Sequence, residues 1–183
     1  MSVRTGKGDT GYTDLLFNKV ISKDHIEMKA IGDIDELVSY LGLVKVKCKG
    51  KEKKEIIEKI QRALCVIASE IAVGEKRIKK NSSILKEADV AWIKKTLFDL
   101  EEKTPMKSQF YLPSDSEVGA YLDISRTIAR RSERSVVELF RKDREKNRYL
   151  LAYLNCISDV LFVMAREKKP KRKVQGVKRK GRK

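Results

Sequence analysis

Histidine, cysteine and proline are scarce in this chain of 183 residues, and aromatic residues make up only 7% of it. The single histidine, His25, lies outside any Glu-x-x-His pair, which excludes a ferritin-like metal bundle, and we expect no metal site built from side chains. The three cysteines, Cys48, Cys65 and Cys156, are an odd number without metal-ligand spacing and are typical of free thiols in a reducing compartment. The scarcity of proline and aromatic residues favours helices over strands.

Long apolar runs and a secretory signal are also missing. No apolar run reaches the roughly 18 residues that a membrane span needs. The opening sequence, MSVRTGKGD, lacks the apolar core of a secretory signal. We therefore expect a cytoplasmic protein that does not enter a membrane.

Acidic residues are absent from the end of the chain. Residues 168–183 contain ten Lys or Arg and no Asp or Glu, and without them the formal net charge falls from +16 to +6. This segment predicts a disordered basic tail, which either binds polyanions such as nucleic acid or is simply a solvated extension. Residues 1–167 then form one domain, whose moderate positive charge suits an anionic ligand such as a nucleotide.

Apolar residues recur with helical periodicity along most of this domain. The pattern predicts five helices, at 24–47, 52–76, 85–103, 116–142 and 145–167. We expect capping boxes at Asp24 with Glu27 and at Ser114 with Glu117, because a glutamate three residues after a capping side chain closes the first turn. Residues 1–23 are interpreted as a loop or a short extended segment. Short connections between the helices predict an all-α, five-helix up-and-down bundle.

A glycine-rich motif, G-K-G-D-T-G, runs from Gly6 to Gly11. Its spacing is that of a dinucleotide-binding loop, but only five residues precede it and no amphipathic helix follows it. A Walker A loop is excluded because no Lys-Ser/Thr follows the last glycine. Two interpretations stay open, a flexible N-terminus or a phosphate cradle in which glycines let backbone N–H groups approach oxygen atoms.

A row of charged residues lies on the fourth predicted helix, at Arg126, Arg130, Arg131, Glu133 and Arg134. At about 100° per residue, Arg126, Arg130 and Glu133 fall within roughly 60° of arc, along the border of the apolar face. Such a row is commonly a solvated face. Arginines beside the core need anionic partners, however, and polyphosphate is one that suits them.

Two further polar pairs lie within apolar stretches. Asp35 and Glu36 are placed on the apolar face of the first helix, where an arginine row opposite would make them salt-bridge partners. Asn155 and Asp159 are four residues apart on the fifth helix, and the simplest interpretation is a polar pair satisfied in the core.

Together these motifs resemble the PduO-type ATP:cob(I)alamin adenosyltransferase family over about residues 4–166. The six matching blocks are Thr5–Thr13 for T-x-x-G-D-x-G-x-T/S, Ser22–Asp24 for S-K-D, Ala30–Leu37 for A-x-G-x-x-D-E-L, Phe110–Pro113 for F-x-L-P, Ser125–Arg134 for A-R-x-x-x-R-R-A-E-R, and Tyr153–Asp159 for L-N-R-L-S-D. The chain departs from the family at three places. Ser114-Asp115 replaces Gly-Gly, Asp123 replaces a histidine, and Cys156 replaces an arginine.

The resemblance implies transfer of the 5′-deoxyadenosyl group of ATP to Co(I) of cobalamin or a related corrinoid, giving adenosylcobalamin and triphosphate. It implies Mg²⁺, a homotrimer with sites at subunit interfaces, and a corrinoid reductase or acceptor enzyme as a partner. An adenosylcobalamin carrier or sensor without turnover is the alternative, and nucleic-acid association through the tail is another.

The resemblance also assigns roles to residues. It implies ATP binding by Thr5, Gly6, Lys7, Gly8, Asp9, Gly11, Thr13, Asp14, Lys23, Arg130, Arg131, Ser132, Glu133, Arg134 and Asn155. Arg130 and Glu133 are expected to act in catalysis. Phe110 is expected to fill the space below the corrin and keep the lower axial ligand off cobalt. Asp35 is expected to pair with Arg126 of a neighbouring subunit.

Overall fold

Five helices and one hairpin make up the described part of the chain, which in this computed structural model comprises residues 6, 8–15, 19–73, 84–113, 116–142 and 147–167. In chain order the elements are β1 (Tyr12–Leu15), β2 (Lys19–Ser22), α1 (Ile26–Lys47), α2 (Lys51–Val73), α3 (Glu87–Lys103), α4 (Glu117–Lys142) and α5 (Arg148–Arg166). The predicted all-α, five-helix bundle is confirmed. The predicted basic tail, and the predicted sites at Thr5, Lys7 and Ser114, lie outside the described residues.

The helices alternate in direction and share one core. α4 packs against α1 and α5, α1 also packs against α2, and α5 also packs against α3. Two ion pairs, Lys29 with Glu138 at 3.1 Å and Lys47 with Glu117 at 2.7 Å, join the two ends of α1 to opposite ends of α4, so these helices are antiparallel. Each helix contributes a fully buried aliphatic side chain to the core, for example Ile34, Leu64, Ile93, Leu122 and Leu154.

Helix α5 is the most enclosed of the five, because it packs between α3 and α4 and its apolar residues face several neighbours. Among the described residues it is the one helix long and apolar enough to cross a membrane, by length and composition alone, and most of that stretch is buried inside the bundle. Asn155 and Asp159 interrupt this stretch, so it is not a continuous apolar run of about 18 residues. The burial of α5 is typical of a core helix, which meets the same criterion of length and composition.

In the segment before α1, predicted as a loop or a short extended segment, β1 and β2 are extended and form an antiparallel hairpin with Tyr12 opposite Ser22. The predicted Asp24–Glu27 capping box is wrong. α1 begins after His25, whose Nδ1 accepts a hydrogen bond from the Glu27 N–H at 3.3 Å. The Asp24 carboxylate instead accepts from the Ser22 hydroxyl, which draws it back to the hairpin.

Helix α4 begins at Glu117 and is capped by Ser116, whereas the predicted capping residue Ser114 lies outside the described residues. The Ser116 hydroxyl oxygen accepts a hydrogen bond from the Gly119 N–H at 3.1 Å. α5 begins at Arg148, later than predicted, because Asn147 Oδ1 accepts from the Tyr149 N–H and caps the helix.

A buried carboxylate links α2 to the start of α5. Glu70 accepts hydrogen bonds from the Leu85 N–H and from Asn147 Nδ2, the second at 3.1 Å. Asn147 Nδ2 also donates to the Leu85 carbonyl at 2.8 Å. Burial raises the pKa of Glu70 above its ordinary value, although both hydrogen bonds oppose this. The hydrogen bonds of Glu70 join α2 to the start of α5. Ionisation of this carboxyl group costs more free energy in the folded protein than in water.

Candidate active site

The glycine-rich segment is a compact turn that Lys23 holds against the hairpin. Gly6 and Gly11 have φ of 68° and 84°, in the left-handed region that favours glycine. The Lys23 backbone N–H donates to the Gly11 carbonyl at 2.9 Å, and Lys23 Nζ donates to the Gly8 carbonyl at 2.6 Å. A Cβ on Gly8 would lie only 2.9 Å from Lys23 Nζ, so a larger residue at this position would displace the end of the lysine side chain.

The other nucleotide residues predicted near the N-terminus lie on this same unit. Asp9 is an exposed residue of the turn, Thr13 is half-buried on β1 opposite Ile21, and Asp14 is exposed opposite Val20. The structure therefore brings the described members of the predicted set together directly before α1. They are Gly6, Gly8, Asp9, Gly11, Thr13, Asp14 and Lys23.

Three arginines of α4, Arg126, Arg130 and Arg134, follow one another at intervals of four residues and so lie along one side of the helix. Arg130 and Arg134 are exposed, and neither forms an ion pair with any other residue in the described ranges. Glu133 is half-buried beside them. The guanidinium groups of this row can therefore bind an anion from outside the chain.

Arg131 and Ser132 face α1 instead of this row. Arg131 Nε lies 3.2 Å from Asp33 Oδ1, and its Nη2 bonds to the Glu36 carboxylate. Ser132 is fully buried, and its hydroxyl donates to the Asp33 carbonyl at 2.8 Å. The hydrogen bond with Glu36 raises the pKa of Arg131. These contacts fix the rotation of α4 about its axis, which turns Arg130 outward.

Asp35 and Arg126 both retain unused bonding capacity within the chain. Asp35 is exposed on α1, so its predicted place on the apolar face of that helix is wrong, and the neighbouring Ile34 and Leu37 are the buried residues. Asp35 has no ion-pair partner among the described residues. Arg126 Nε lies 3.7 Å from Asp123 Oδ1, and this buried nitrogen has no hydrogen-bond partner in the described structure.

The loop before α4 presents two apolar side chains to solvent. Phe110 is fully exposed, and Leu112 is nearly so. Between them, the Tyr111 hydroxyl accepts from the Lys107 N–H at 2.8 Å and donates to the Lys107 carbonyl at 3.2 Å, which closes the loop on itself. The Tyr111 ring packs edge-to-face on Phe162 of α5, with the centroids 6.1 Å apart. Phe110 is therefore an exposed aromatic residue at the tip of a loop that is itself anchored.

A buried ion pair lies next to this anchor, and sequence analysis missed half of it. Arg166 Nη1 lies 3.0 Å from Asp123 Oδ1, and the two side chains are only 10% and 7% exposed. Asp123 stands where the family pattern has a histidine. Arg166 carried no motif, and the one signal was a basic residue placed directly after the apolar run of α5.

The row of three arginines on α4 lies between the glycine-rich turn and the loop that bears Phe110. Asp123, which binds the Phe110 loop through Arg166, is fifteen residues before Glu138, which pairs with Lys29 near the start of α1. Fifteen residues of helix span about 22 Å. The glycine-rich segment precedes α1 and therefore lies toward the Glu138 end of the row. Phe110 of the same chain lies toward the Asp123 end.

Asn155 and Asp159 are exposed on α5, so the interpretation of a polar pair in the core is wrong. The Ser158 hydroxyl donates to the Asn155 carbonyl at 3.2 Å, and the Asn155 side chain lies on the outside of the bundle. Cys156, where the family has an arginine, is buried instead. Burial raises the pKa of its thiol to about 11.

Comparison with known proteins identifies the fold and the family. The family described as cobalamin adenosyltransferase matches residues 3–168. A corrinoid adenosyltransferase of Citrobacter freundii is 30% identical over 169 residues, which cover 90% of this chain and 93% of that protein. The corrinoid adenosyltransferase PduO of the same organism is also 30% identical, over 91% of this chain but only 49% of its own length. The chain thus spans about half of that longer relative.

Solved structures agree with this assignment. A phenylalanine-to-histidine variant of the PduO-type ATP:corrinoid adenosyltransferase from Lactobacillus reuteri, complexed with cobalamin and ATP, superposes with a TM-score of 0.83 at 26% identity, over 91% of this chain and 90% of that one. An arginine-to-lysine variant complexed with ATP superposes with a TM-score of 0.81 at 26% identity, over 90% and 92% of the two chains. With its helical bundle, glycine-rich turn and arginine row, the chain belongs to the cobalamin adenosyltransferase family.

Proposed function

We propose that this protein transfers the 5′-deoxyadenosyl group of ATP to the cobalt of cobalamin or a related corrinoid. The observation that carries the proposal is the exposed pair Arg130 and Arg134, which lack ion-pair partners in the described part of the chain and lie between a glycine-rich turn and an exposed aromatic loop. The family membership and the ATP and cobalamin complexes of its relatives support this choice of substrates.

The reaction does not require a catalytic acid or base from the protein. Co(I) of the reduced corrinoid supplies an electron pair to the 5′ carbon of ATP, the bond between that carbon and its phosphate oxygen breaks, and triphosphate leaves with the bonding electrons. Co(I) is a strong nucleophile, so the protein contributes positioning of the two substrates and stabilisation of the charge that develops on the leaving group.

The nucleotide half of the site consists of the glycine-rich turn and the outward face of α4. Backbone N–H groups of the turn, together with Arg130 and Arg134, bind the triphosphate, and Glu133, half-buried beside these arginines, acts with them in catalysis. Thr5 and Lys7 before the turn, and Asn155 on α5, remain part of this proposal through the resemblance. Lys23 acts by holding the turn, whereas Arg131 and Ser132 act by fixing α4 against α1 and do not touch the nucleotide.

Mg²⁺ fits this site as an ion carried mainly by the nucleotide, because it is commonly bound by one or two carboxylates together with substrate phosphates. No group of three or more His, Cys, Asp or Glu side chains in the described ranges is arranged to hold a metal. The exposed Asp9 and the half-buried Glu133 would supply the few carboxylate contacts that remain. When bound, the ion would neutralise charge on the triphosphate.

The corrinoid half of the site is the Phe110 loop. Phe110 and Leu112 offer apolar surface to a large, flat ligand. Phe110 fills the space below the corrin and keeps the lower axial ligand off cobalt, which leaves four-coordinate Co(II). Losing that ligand makes Co(II) easier to reduce by one electron to the reactive Co(I).

The assembly that suits this site is a homotrimer with the substrates bound between subunits. An exposed Asp35 without a partner in the described chain and a half-buried Arg126 with an unsatisfied Nε support pairing of these residues across an interface. We place the protein in the cytoplasm, where a corrinoid reductase would supply Co(I) or an acceptor enzyme would take the product.

One assay tests the proposal. Purified protein is mixed with ATP, Mg²⁺ and chemically reduced cob(I)alamin, and adenosylcobalamin and triphosphate are measured together. We expect the two products in equal amounts. Tight binding of adenosylcobalamin without turnover would overturn the proposal and indicate a carrier or sensor.

A further inference from the structure

We propose that Arg166, held in place by Asp123, is a positioning residue that fixes Phe110 at the corrinoid through Tyr111. This inference rests on the proposed function and deepens it. Arg166 does not touch either substrate in this scheme. It acts through three contacts, from α4 to α5, from α5 to the Tyr111 ring, and from the Tyr111 hydroxyl to the loop that bears Phe110.

The first contact is the ion pair with Asp123, which fixes the position of Arg166 and neutralises its charge. Its Nη1 lies 3.0 Å from Asp123 Oδ1 and donates to the Phe162 carbonyl at 2.9 Å. Both members of the ion pair are at least nine-tenths buried, so neither charge is accessible to a soluble anion. A buried pair of this kind is poor evidence for stability, but it can specify a single geometry.

The second contact passes from the guanidinium to two aromatic rings. The Arg166 guanidinium lies 3.6 Å from the centroid of the Phe162 ring and 5.6 Å from that of Tyr111. Tyr111 and Phe162 are themselves packed edge-to-face, with an interplanar angle of 83°. Arginine attracts ring faces within about 6 Å. The Tyr111 ring is therefore held by two side chains of α5, Arg166 and Phe162.

The third contact passes from Tyr111 to the loop. Its hydroxyl bonds to both the N–H and the carbonyl of Lys107, which encloses Phe110 in a five-residue segment with fixed ends. Phe110 itself is fully exposed. Its position therefore depends on its two neighbours in the loop, and without their anchor the loop would sample many conformations.

Such control is useful because Phe110 must exclude a ligand from one face of the corrin. A misplacement of about 1 Å can reduce a rate by roughly a hundredfold even when the altered residue is remote from the chemistry. The step that depends on Phe110 is the reduction of Co(II). An enzyme that receives Co(I) already formed does not need it to the same degree.

The test compares two assays on the same variants. One begins with cob(II)alamin and reduced flavin as the one-electron donor, and the other begins with chemically prepared cob(I)alamin. The variants are Arg166→Lys, which keeps the charge opposite Asp123 but loses the planar stacking, and Tyr111→Leu, which removes the ring from a half-exposed position. Arg166→Met removes the guanidinium but leaves Asp123 with Arg126 as a partner at 3.7 Å, which guards against a folding defect from an unpaired buried charge.

We expect turnover from Co(II) to fall about tenfold or more, while turnover from Co(I) and the KM for ATP stay within about twofold of wild type. The spectroscopic signature of four-coordinate Co(II) should weaken in parallel. Arg148→Met is the matched control, because Arg148 lies over the Tyr149 ring at 5.2 Å at the opposite end of α5. It should leave both assays unchanged.

A double-mutant cycle separates positioning from independent effects. If Arg166 acts through Phe110, adding Arg166→Lys to Phe110→Ala should cost almost nothing beyond Phe110→Ala alone. Equal losses in the two assays, or losses that multiply in the double variant, would overturn the inference. A wild-type protein that makes no adenosylcobalamin from Co(I) would instead overturn the proposed function, so the two failures are distinguishable.

Discussion

Lys23 Nζ lies 2.6 Å from the carbonyl oxygen of Gly8, so a lysine that follows the hairpin closes the turn that precedes it. The same ammonium would lie 2.9 Å from a Cβ on Gly8, so a side chain at this position would displace it from the carbonyl. Because the turn and the lysine belong to one continuous unit before α1, a change at Gly8 tests the nucleotide turn without touching the core.

We expect Gly8→Ala to raise the KM for ATP about tenfold through displacement of Lys23, at roughly the cost of one charge-assisted hydrogen bond. The melting temperature should change little, because the atom that must move is the far end of a flexible side chain. Gly32→Ala is the control, since a Cβ there meets nothing within 4 Å and Ala favours the helix by about 0.5–1 kcal/mol. An unchanged KM in Gly8→Ala would contradict the role of the turn.

Arg130→Ala should lower kcat/KM by roughly 10²–10³-fold, because it removes a cation from the developing triphosphate. Initial rates at low and at saturating ATP check this. Arg141→Ala, at another exposed position of α4, should be close to wild type. Arg131→Ala should instead lower the melting temperature, since it breaks the ion pairs with Asp33 and Glu36. Wild-type turnover by Arg130→Ala at both ATP concentrations would remove that arginine from the site.

Asp35→Asn should weaken assembly, because removing one partner of a desolvated pair leaves the other charge unpaired. Light scattering over a dilution series should show trimer for the wild type and a shift toward monomer for the variant. Glu102→Gln, at an exposed position of α3, serves as the control and should stay trimeric. A monomeric wild-type protein at all concentrations would end the proposal of an Asp35–Arg126 interface.

The titration of the buried Glu70 carboxyl should make the free energy of unfolding fall as pH rises above 4.5. Its pKa is raised in the folded state from an ordinary value of 4.5, so between the two pKa values the folded protein binds more protons than the unfolded one. The stabilising effect is therefore complete below pH 4.5 and is lost as pH rises through the folded pKa. Urea unfolding at several pH values should show this slope in the wild type and a flatter one in Glu70→Gln.

Removal of residues 168–183 should leave adenosyl transfer unchanged. The segment carries ten positive charges and follows the last buried residue of α5, Ala165. Retention on an immobilised polyanion should fall sharply in the truncated protein, and in the full chain it should decrease steeply with salt. Loss of turnover after truncation would place the tail in the site.

Local pattern in the sequence was sufficient for the number and order of the helices and for the family. Helical periodicity and propensity act within a single segment, so five amphipathic stretches predict five helices whatever they pack against. The six motif blocks likewise identify the family because their spacing along the chain is a one-dimensional property. The pairing of β1 with β2 and the His25 cap were not predicted, because each depends on a choice among several local hydrogen-bond acceptors.

Only the tertiary structure decided which polar side chains meet. The sequence places the charged residues at 126–134 in one row, yet Arg131 turns toward α1 because Asp33, 98 residues away in sequence, lies across the helix interface. Arg166 showed no motif at all, and its pairing with Asp123 exists because α5 ends beside the fourth helix. Helical periodicity predicts which side of its own helix a side chain occupies. The partner of that side chain depends on which helix packs against this side, and the packing is a property of the assembled bundle.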